Sequence, residues 1–427
     1  MIFMRRRVFC ALCLSLTHAG IAAADTKVFT GARIFDGTGK VFERGAIVVQ
    51  DGRITGIGLS AKVKAPSGAR TIDVSGKTIT PGLINAHGHV SDVEGKRTGA
   101  TRESVERQLG VFARYGITTV FSLGGEEEPA FKLRDAQETS SLNRARIFVA
   151  GPVIAAKTPQ EARQMVEKVA AMKPDFIKIR VDDNLGTSTK MTPDVYRAVI
   201  DEAHKQKTRV IAHVFYLDDA KDLARAGVDG FAHLVRDREA DEELVSLLKS
   251  RNIFVMPNLS ISDNGAHAEA PAWLDDPLLR DTSPAEVIER VRQSFARRTP
   301  EAVERAQRIF AGMRRTLAKL NAAGVTLVLG TDDGAVRDHF YAYTAHRELR
   351  LMVEAGMSPA EVLTSATRTS AAVLRLDDLG SLEPHKRADF IVLDANPLDD
   401  IANTTKISAV YHEGVALDRA ALRARWR

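Results

Sequence analysis

From Pro81 onward the chain alternates short apolar runs with helical stretches, and this rhythm constrains the fold more than any other feature. The strand-length runs are Leu83 to His89, Thr118 to Ser122, Arg146 to Ala150, Phe176 to Val181, Arg209 to Val214, Gly230 to His233, Ile253 to Pro257 and Thr326 to Gly330. Between them lie segments with helical spacing, among them Glu103 to Tyr115, Pro159 to Met172, Pro193 to Gln206 and Leu217 to Ala226. Largely apolar strands are buried on both faces, as parallel strands covered by crossover helices are. The pattern predicts an α/β fold, a (β/α)8 TIM barrel. An open doubly wound sheet would want a glycine-rich phosphate turn after a strand, and the sequence has none.

Shorter runs flank this region. Val28 to Ile34, Ala46 to Val49, Ile54 to Ile57 and Thr71 to Val74 precede it, with Asp51-Gly52 as a hairpin signal. Asp389 to Leu393 and Ile407 to Glu413 follow it. The expected organisation is a small β-sandwich domain built from both chain ends, residues 25–80 and 376–427, around a barrel at 81–375. The stretch from Ser260 to Lys319 exceeds an ordinary βα connection. It is expected to form a helical excursion over the barrel mouth, carrying Trp273.

Residues 1–24 read as a cleaved secretory signal: basic Met1 to Arg7, apolar Val8 to Ile21, then Ala22-Ala23-Ala24 before Asp25. His18 and Gly20 interrupt an apolar run that is short for a spanning helix of ~20 residues, so no membrane attachment is expected after cleavage. Export to the periplasm or out of the cell follows. Arg6-Arg7-Val8-Phe9 resembles a twin-arginine signal, and the choice between that route and the general secretory one stays open. Removing Arg5, Arg6 and Arg7 turns 60 basic and 55 acidic residues into 57 against 55, a balance of +2. With no basic block interleaved with aromatics, a nucleic-acid partner is not expected. Cys10 and Cys13 both lie in the signal, so a metal held by the mature chain must have nitrogen and oxygen ligands.

Such ligands recur at strand intervals. In Asn85-Ala86-His87-Gly88-His89 the two imidazoles are two residues apart, which on a strand puts them on one face. Lys178 sits in the fourth barrel run, His213 and His233 end the fifth and sixth, and Asp332 follows the eighth. Carboxyl ends of barrel strands are where such folds keep their chemistry. Singly, each has an ordinary reading as a hydrogen-bonded strand histidine or a helix-capping aspartate. An ammonium inside a barrel is costly unless something compensates it. Tyr216, Arg180 and His339 follow strands closely and are candidate substrate contacts. Asp333 is expected to face away from the site. Glu126-Glu127-Glu128 after the second run would favour a cationic substrate, whereas Arg180 argues the opposite way.

The constellation and its flanks resemble the amidohydrolase superfamily, with imidazolonepropionase-like and metal-dependent Xaa-dipeptidase (prolidase-like) members nearest. Thr80-Pro81-Gly82-Leu83-Ile84-Asn85-Ala86-His87-Gly88-His89 is similar to the strand-1 signature, and Gly116-Ile117-Thr118-Thr119-Val120 and Ala226-Gly227-Val228-Asp229 to barrel segments. Leu379-Gly380-Ser381-Leu382-Glu383-Pro384 is similar to the return into the β domain. The resemblance implies two divalent metal ions, zinc foremost, on His87, His89, Lys178, His213, His233 and Asp332, with a carbamate on Lys178. It implies Asp332 as the proton shuttle for metal-activated water attacking an amide-type C–N bond of a small acyl-amino acid or dipeptide-like substrate. A homo-oligomer is expected on the same ground. Two other readings stay open: a mononuclear cyclic-imide hydrolase or deaminase of the same superfamily, and a non-catalytic metal-binding barrel. Deaminases commonly carry Glu three residues after the strand-5 histidine, where this chain has Tyr216. It also departs from the pattern at Asn85, where Asp is usual, and at Pro384-His385, where Glu-Gly is common.

Overall fold

The structure is a computed structural model that describes residues 25–90, 99–139, 141–183, 185–335 and 340–426. The expected signal segment and His339 lie outside the described residues.

Both chain ends build one sheet. Its amino-terminal strands are β1 (Thr26–Phe35), β2 (Val41–Gln50), β3 (Arg53–Leu59), β4 (Arg70–Asp73) and β5 (Thr78–Pro81). Asp51 and Gly52, with φ of 50° and 79°, join β2 to β3, and φ is positive at both positions of such a two-residue hairpin turn.

The barrel-region strands are β6 (Leu83–Gly88), β7 (Ile117–Ser122), β8 (Arg146–Val149), β9 (Ile177–Val181), β10 (Val210–Val214), β11 (Gly230–Ala232) and β12 (Phe254–Met256). The chain closes with β13 (Phe390–Leu393), β14 (Ile407–His412) and β15 (Val415–Ala416).

In the first sheet the order is β15-β14-β13-β5-β1-β2-β3, with β4 added to β1. A bridge from Arg53 to Arg387 brings the β3 edge back to the segment entering β13. The sheet thus rolls around Phe29, Ile34, Ile47, Ile54 and Phe390. Two facing sheets were expected from the sequence, but the strands hydrogen-bond into one. The long-range pairing of β5 with both β1 and β13, which unites the two chain ends, is the cause.

The barrel-region strands are parallel and fall into two sheets, β6-β7-β8 and β9-β10-β11-β12. Bridges Ile154–Ile179 and Val255–Leu327 extend the pairing at the edges, and Gly88–Asp333 joins the segment after the eighth run to β6. The predicted continuous eight-stranded ladder is therefore interrupted at two places. At the end of β8 the Ala150 N–H keeps its bond to the Ser122 carbonyl on the β7 side at 3.1 Å and shares it with the Glu126 carboxylate, which also takes the Gly151 N–H at 2.7 Å. Bonds from Asp175 N–H to the Val149 carbonyl and from Ile154 N–H to the Lys178 carbonyl cross toward β9. At the eighth run the His87 carbonyl accepts from both Thr331 and Asp332 N–H, and the chain turns at Asp332 with φ of 59°.

The predicted helices appear at Arg102–Arg114, Pro159–Ala171, Pro193–Lys205 and Leu217–Ala226. Thr101 and Thr158 cap the first two, each accepting from the backbone three residues on. The long excursion is helical at Leu259–Gly265, Pro277–Thr282, Ala285–Phe295 and Pro300–Ala322, with Trp273 in a short 3₁₀ turn. It packs on helix Tyr343–Glu354, where the Arg347 guanidinium lies 4.0 Å from the Trp273 ring centroid.

Candidate metal centre

Four of the six expected ligands, His87, His89, His213 and His233, stand at or just past the carboxyl ends of β6, β10 and β11. Lys178 is the second residue of β9, and Asp332 comes from the turn after the eighth run. His87 Nε2 lies 3.0 Å and His89 Nε2 2.8 Å from the same Asp332 oxygen. Lys178 Nζ is 3.4 Å from His87 Nε2, and the rings of His87 and His233 are 5.2 Å apart. One donor atom each from His87, His233 and Asp332 fall within 4.8 Å of one another, a group able to hold a cation. His213 stands beside it, its ring 4.3 Å from that of His233. Its Nε2, however, faces Asp182 at 2.9 Å and Arg236 at 3.2 Å.

Three residues here adopt left-handed backbone without being glycine: His233 (φ 85°), Asp332 (φ 59°) and Asn258 (φ 50°). Each such placement costs about 1–3 kcal/mol, and the strain concentrates where side chains are aimed at a ligand. Gly334 allows the next turn, because a Cβ there would collide with the His89 carbonyl oxygen.

The electrostatics suit nitrogen donors. Burial, with Lys178 nearby, presses the His87 pKa down to about 3, and burial takes His213 to about 4. His233 is lowered well below its usual value by burial and by His213. All three imidazoles are neutral at pH 7, the form that binds metal. Burial alone would raise Asp332, but His87 and His89 beside it hold its carboxyl well below the usual range. Burial lowers Lys178 to about 8, and it forms no ion pair among the described residues. Both nitrogens of His233 are buried and have no hydrogen-bond partner among the described residues. A buried polar atom with no partner carries its full desolvation cost, so this donor set fits a divalent cation.

Several supporting residues were not legible in the sequence. Asn258, two residues past β12, has its amide nitrogen 3.3 Å from His87 Nδ1, and its Oδ1 is buried without a partner among the described residues. Turning that amide would let Oδ1 accept from Nδ1–H, leaving His87 Nε2 free as a ligand atom. Glu348 accepts from Leu259 and Ser260 N–H, both at 2.8 Å, and so clamps the helix that starts behind Asn258. Asp182 and Arg236 flank His213. Each of Asn258, Asp182 and Arg236 stands within four residues past a strand end, which is the signal that would have found them.

Asp333 does face away from the histidines, yet it is fully buried, accepting from Asn85 Nδ2 at 2.8 Å, from Thr331 Oγ1, and from Ala342 N–H at 3.1 Å. An Asp at position 85 would set two carboxylates against each other, so Asn85 complements Asp333. Glu126 is no substrate contact: it is buried and bonded to Ser122 Oγ and to three backbone N–H groups. Glu128 pairs with Lys132 on an exposed helix face. Arg180 is half-exposed and pairs with Asp182 at 3.1 Å. Tyr216 donates to Asp183 at 2.7 Å, and that bond raises its pKa to about 12.

The Amidohydrolase family model matches residues 78–417, and the chain belongs to that family. An adenine deaminase of Desulfitobacterium hafniense (strain Y51) is 25% identical over 388 residues, 87% of this chain and 55% of that one. An ochratoxinase of Aspergillus niger is 25% identical over 278 residues, covering 62% of this chain and 50% of the other. The chain thus spans about half the length of these two curated relatives. Among solved structures, a Xaa-Pro dipeptidase with bound methionine in its active site superposes with a TM-score of 0.73. It is 25% identical, with 92% of this chain and 99% of that chain covered.

Proposed function

We propose that the protein is a metal-dependent hydrolase that cleaves an amide-type C–N bond of a small acyl-amino acid or dipeptide-like molecule. The observation that carries this reading is the convergence of His87, His233 and Asp332 donors within 4.8 Å around unpartnered imidazole nitrogens. In the proposal the two parallel sheets act as one barrel with the site at its carboxyl-end mouth. His87, His89, Lys178, His213, His233 and Asp332 hold two divalent ions, zinc by the nitrogen and oxygen donor set. Lys178, buried without an ion pair, is carried as a carbamate. Bound metal supplies Lewis-acid polarisation of water and of the scissile carbonyl.

The chain's own residues do the proton work. Asp332, ionised and at the centre of the group, accepts the proton of the attacking water and passes it to the leaving nitrogen. Tyr216 and Arg180 stand at the mouth as substrate contacts, and His339 is assigned the same role from its sequence position. The likeness to an Xaa-Pro dipeptidase supports the acyl-amino acid class.

The likeness to an adenine deaminase supports the alternative reading, deamination. Against it stands Tyr216, whose hydroxyl is held by Asp183 and does not supply a proton to a ring nitrogen at neutral pH. The order of residues 1–24 supports action outside the cytoplasm, and a homo-oligomer belongs to the same proposal.

Zinc-reconstituted protein is to be assayed on a library of N-acyl amino acids, dipeptides, purines and pyrimidines. New primary amine with matching carboxylate, and about two metal equivalents per chain, are expected. Free ammonia from the bases with no amide turnover overturns the reading, and a single equivalent with no added mass on Lys178 moves the site to the mononuclear class.

A further inference from the structure

We infer that the cleft beside His213 is an anion subsite that takes the free carboxylate of the substrate, with Arg236 on its inner wall and Arg305 on its outer one. The inference rests on the proposed hydrolase reading and narrows its substrate to acyl-amino acids with an apolar side chain and a free carboxylate.

The cleft has a volume of about 450 Å³ and lies between the segment after β11 and helix Pro300–Ala322. That size suits a small ligand. It adjoins the metal centre through Arg236. The Nη2 of this residue is 3.2 Å from His213 Nε2 and 3.3 Å from the Val214 carbonyl, and its guanidinium carbon sits 4.7 Å from the Phe215 ring centroid.

Stacking and the Val214 bond fix the plane of the guanidinium while leaving most of its donors unused. Nε and Nη1 have no acceptor among the described residues, and Arg236 forms no ion pair there. A guanidinium held in one plane with spare donors matches a carboxylate, which it grips through two parallel hydrogen bonds.

The charge of the cleft is uneven. Arg238 is neutralised by Asp218 and Asp237, and Arg315 by Glu239. Arg308 reaches Glu304 only at 3.8 Å, and Arg305 has no acidic partner among the described residues. The charges that form no close ion pair among the described residues are thus Arg236 at the inner end, with Asp182 across His213 Nε2 from it, and Arg305, with weakly paired Arg308, at the outer one. Between them the walls are apolar, formed by Phe215, Val235, Ile309 and Met313. Tyr216 lines the same cleft, but its hydroxyl is spent on Asp183. A ligand with an apolar side chain and one negative end fits this arrangement, and a cationic ligand does not.

The test compares N-acetyl-L-leucine with its uncharged counterpart N-acetyl-L-leucinamide. Calorimetric binding to the metal-free protein and kcat/KM of the zinc-loaded protein are both read. Wild type is expected to prefer the acid by roughly 10- to 100-fold, the worth of a hydrogen bond between charged groups. In Arg236→Met and Arg305→Glu that preference falls toward one. Arg305 is exposed on its helix, so Arg305→Glu keeps the test decisive even if Arg236→Met folds poorly. Equal binding of acid and amide by wild type, or a preference unchanged in Arg305→Glu, overturns the subsite. Acid-selective binding without amide turnover anywhere in the library supports the subsite and refutes the hydrolase reading.

Discussion

Asp332 and Asp333 are neighbours with different partners, and their substitutions are expected to separate chemistry from architecture. Asp332 meets His87 and His89 through one oxygen, whereas Asp333 holds Asn85, Thr331 and Ala342 N–H. Asp332→Asn keeps the shape and removes the basic oxygen, so kcat is expected to fall by about 10²- to 10⁴-fold with the denaturation midpoint little changed. Asp333→Asn is expected to lower stability by about 1–3 kcal/mol, because buried donors lose their acceptor, with a smaller effect on kcat. Urea unfolding run beside steady-state kinetics checks both. An equal loss of kcat in the two variants at unchanged stability would mean that Asp333 acts in the chemistry. Asn85 illustrates the limit of reading residues singly: its departure from the family pattern has a reason only once Asp333 is seen against it.

At the scale of elements, the site depends on how strands are fastened to what surrounds them. Arg146 on β8 is 2% exposed and reaches Asp389 at the start of β13 and Glu413 after β14, tying the rolled sheet to the barrel region. Burial works against the charge of Asp389, but Arg146 and His412 keep its carboxyl ionised well below the usual range. Arg146→Met removes the guanidinium and leaves the buried Asp389 carboxylate with only His412 and the Glu413 N–H among the described residues. A loss of about 3–5 kcal/mol is expected on denaturant unfolding, while metal content stays near the wild-type value. A variant as stable as wild type would show that Asp389 finds water or protonates without cost. None of these pairings was visible in the sequence. Arg146 reads there as the first residue of an apolar strand, and its partners lie 243 and 267 positions away.

The whole molecule carries its buried histidines as a pH liability. Burial takes the pKa of His87 to about 3 and of His213 and His346 to about 4, with His233 also well below its usual value. An unfolded histidine titrates near 6.5. Below that pH the unfolded chain binds protons that the folded chain refuses, so stability falls as pH drops. Asp333 and Glu348 work in the opposite sense. Burial raises them to about 6 and 7, so the folded chain keeps protons that the unfolded one releases, and stability is lost as pH rises toward those values. Four histidines outweigh two carboxyls, and metal-free protein is expected to unfold at lower urea concentration at pH 5 than at pH 7. Equal midpoints would mean that the histidines take up protons in place.

Taken by itself, the sequence determined where seven of the eight expected barrel-region strands lie and which residues stand on or just past them. Apolar runs and the two-residue alternation of a strand are local properties, so His87, His89, Lys178, His213, His233 and Asp332 were legible in order and position. Tertiary structure alone decided how those strands join. The regular ladders give way after β8 and at the eighth run to single bridges and isolated backbone bonds, such as Ile154 N–H to the Lys178 carbonyl and Ala86 N–H to the Leu329 carbonyl. It also decided that two chain ends roll into one sheet, that Asn258 sits behind His87, and that Arg236 stands between His213 and a basic cleft. The physical reason is range: periodicity is written over a few residues, whereas the partner of a buried donor is fixed by packing between segments far apart in the chain.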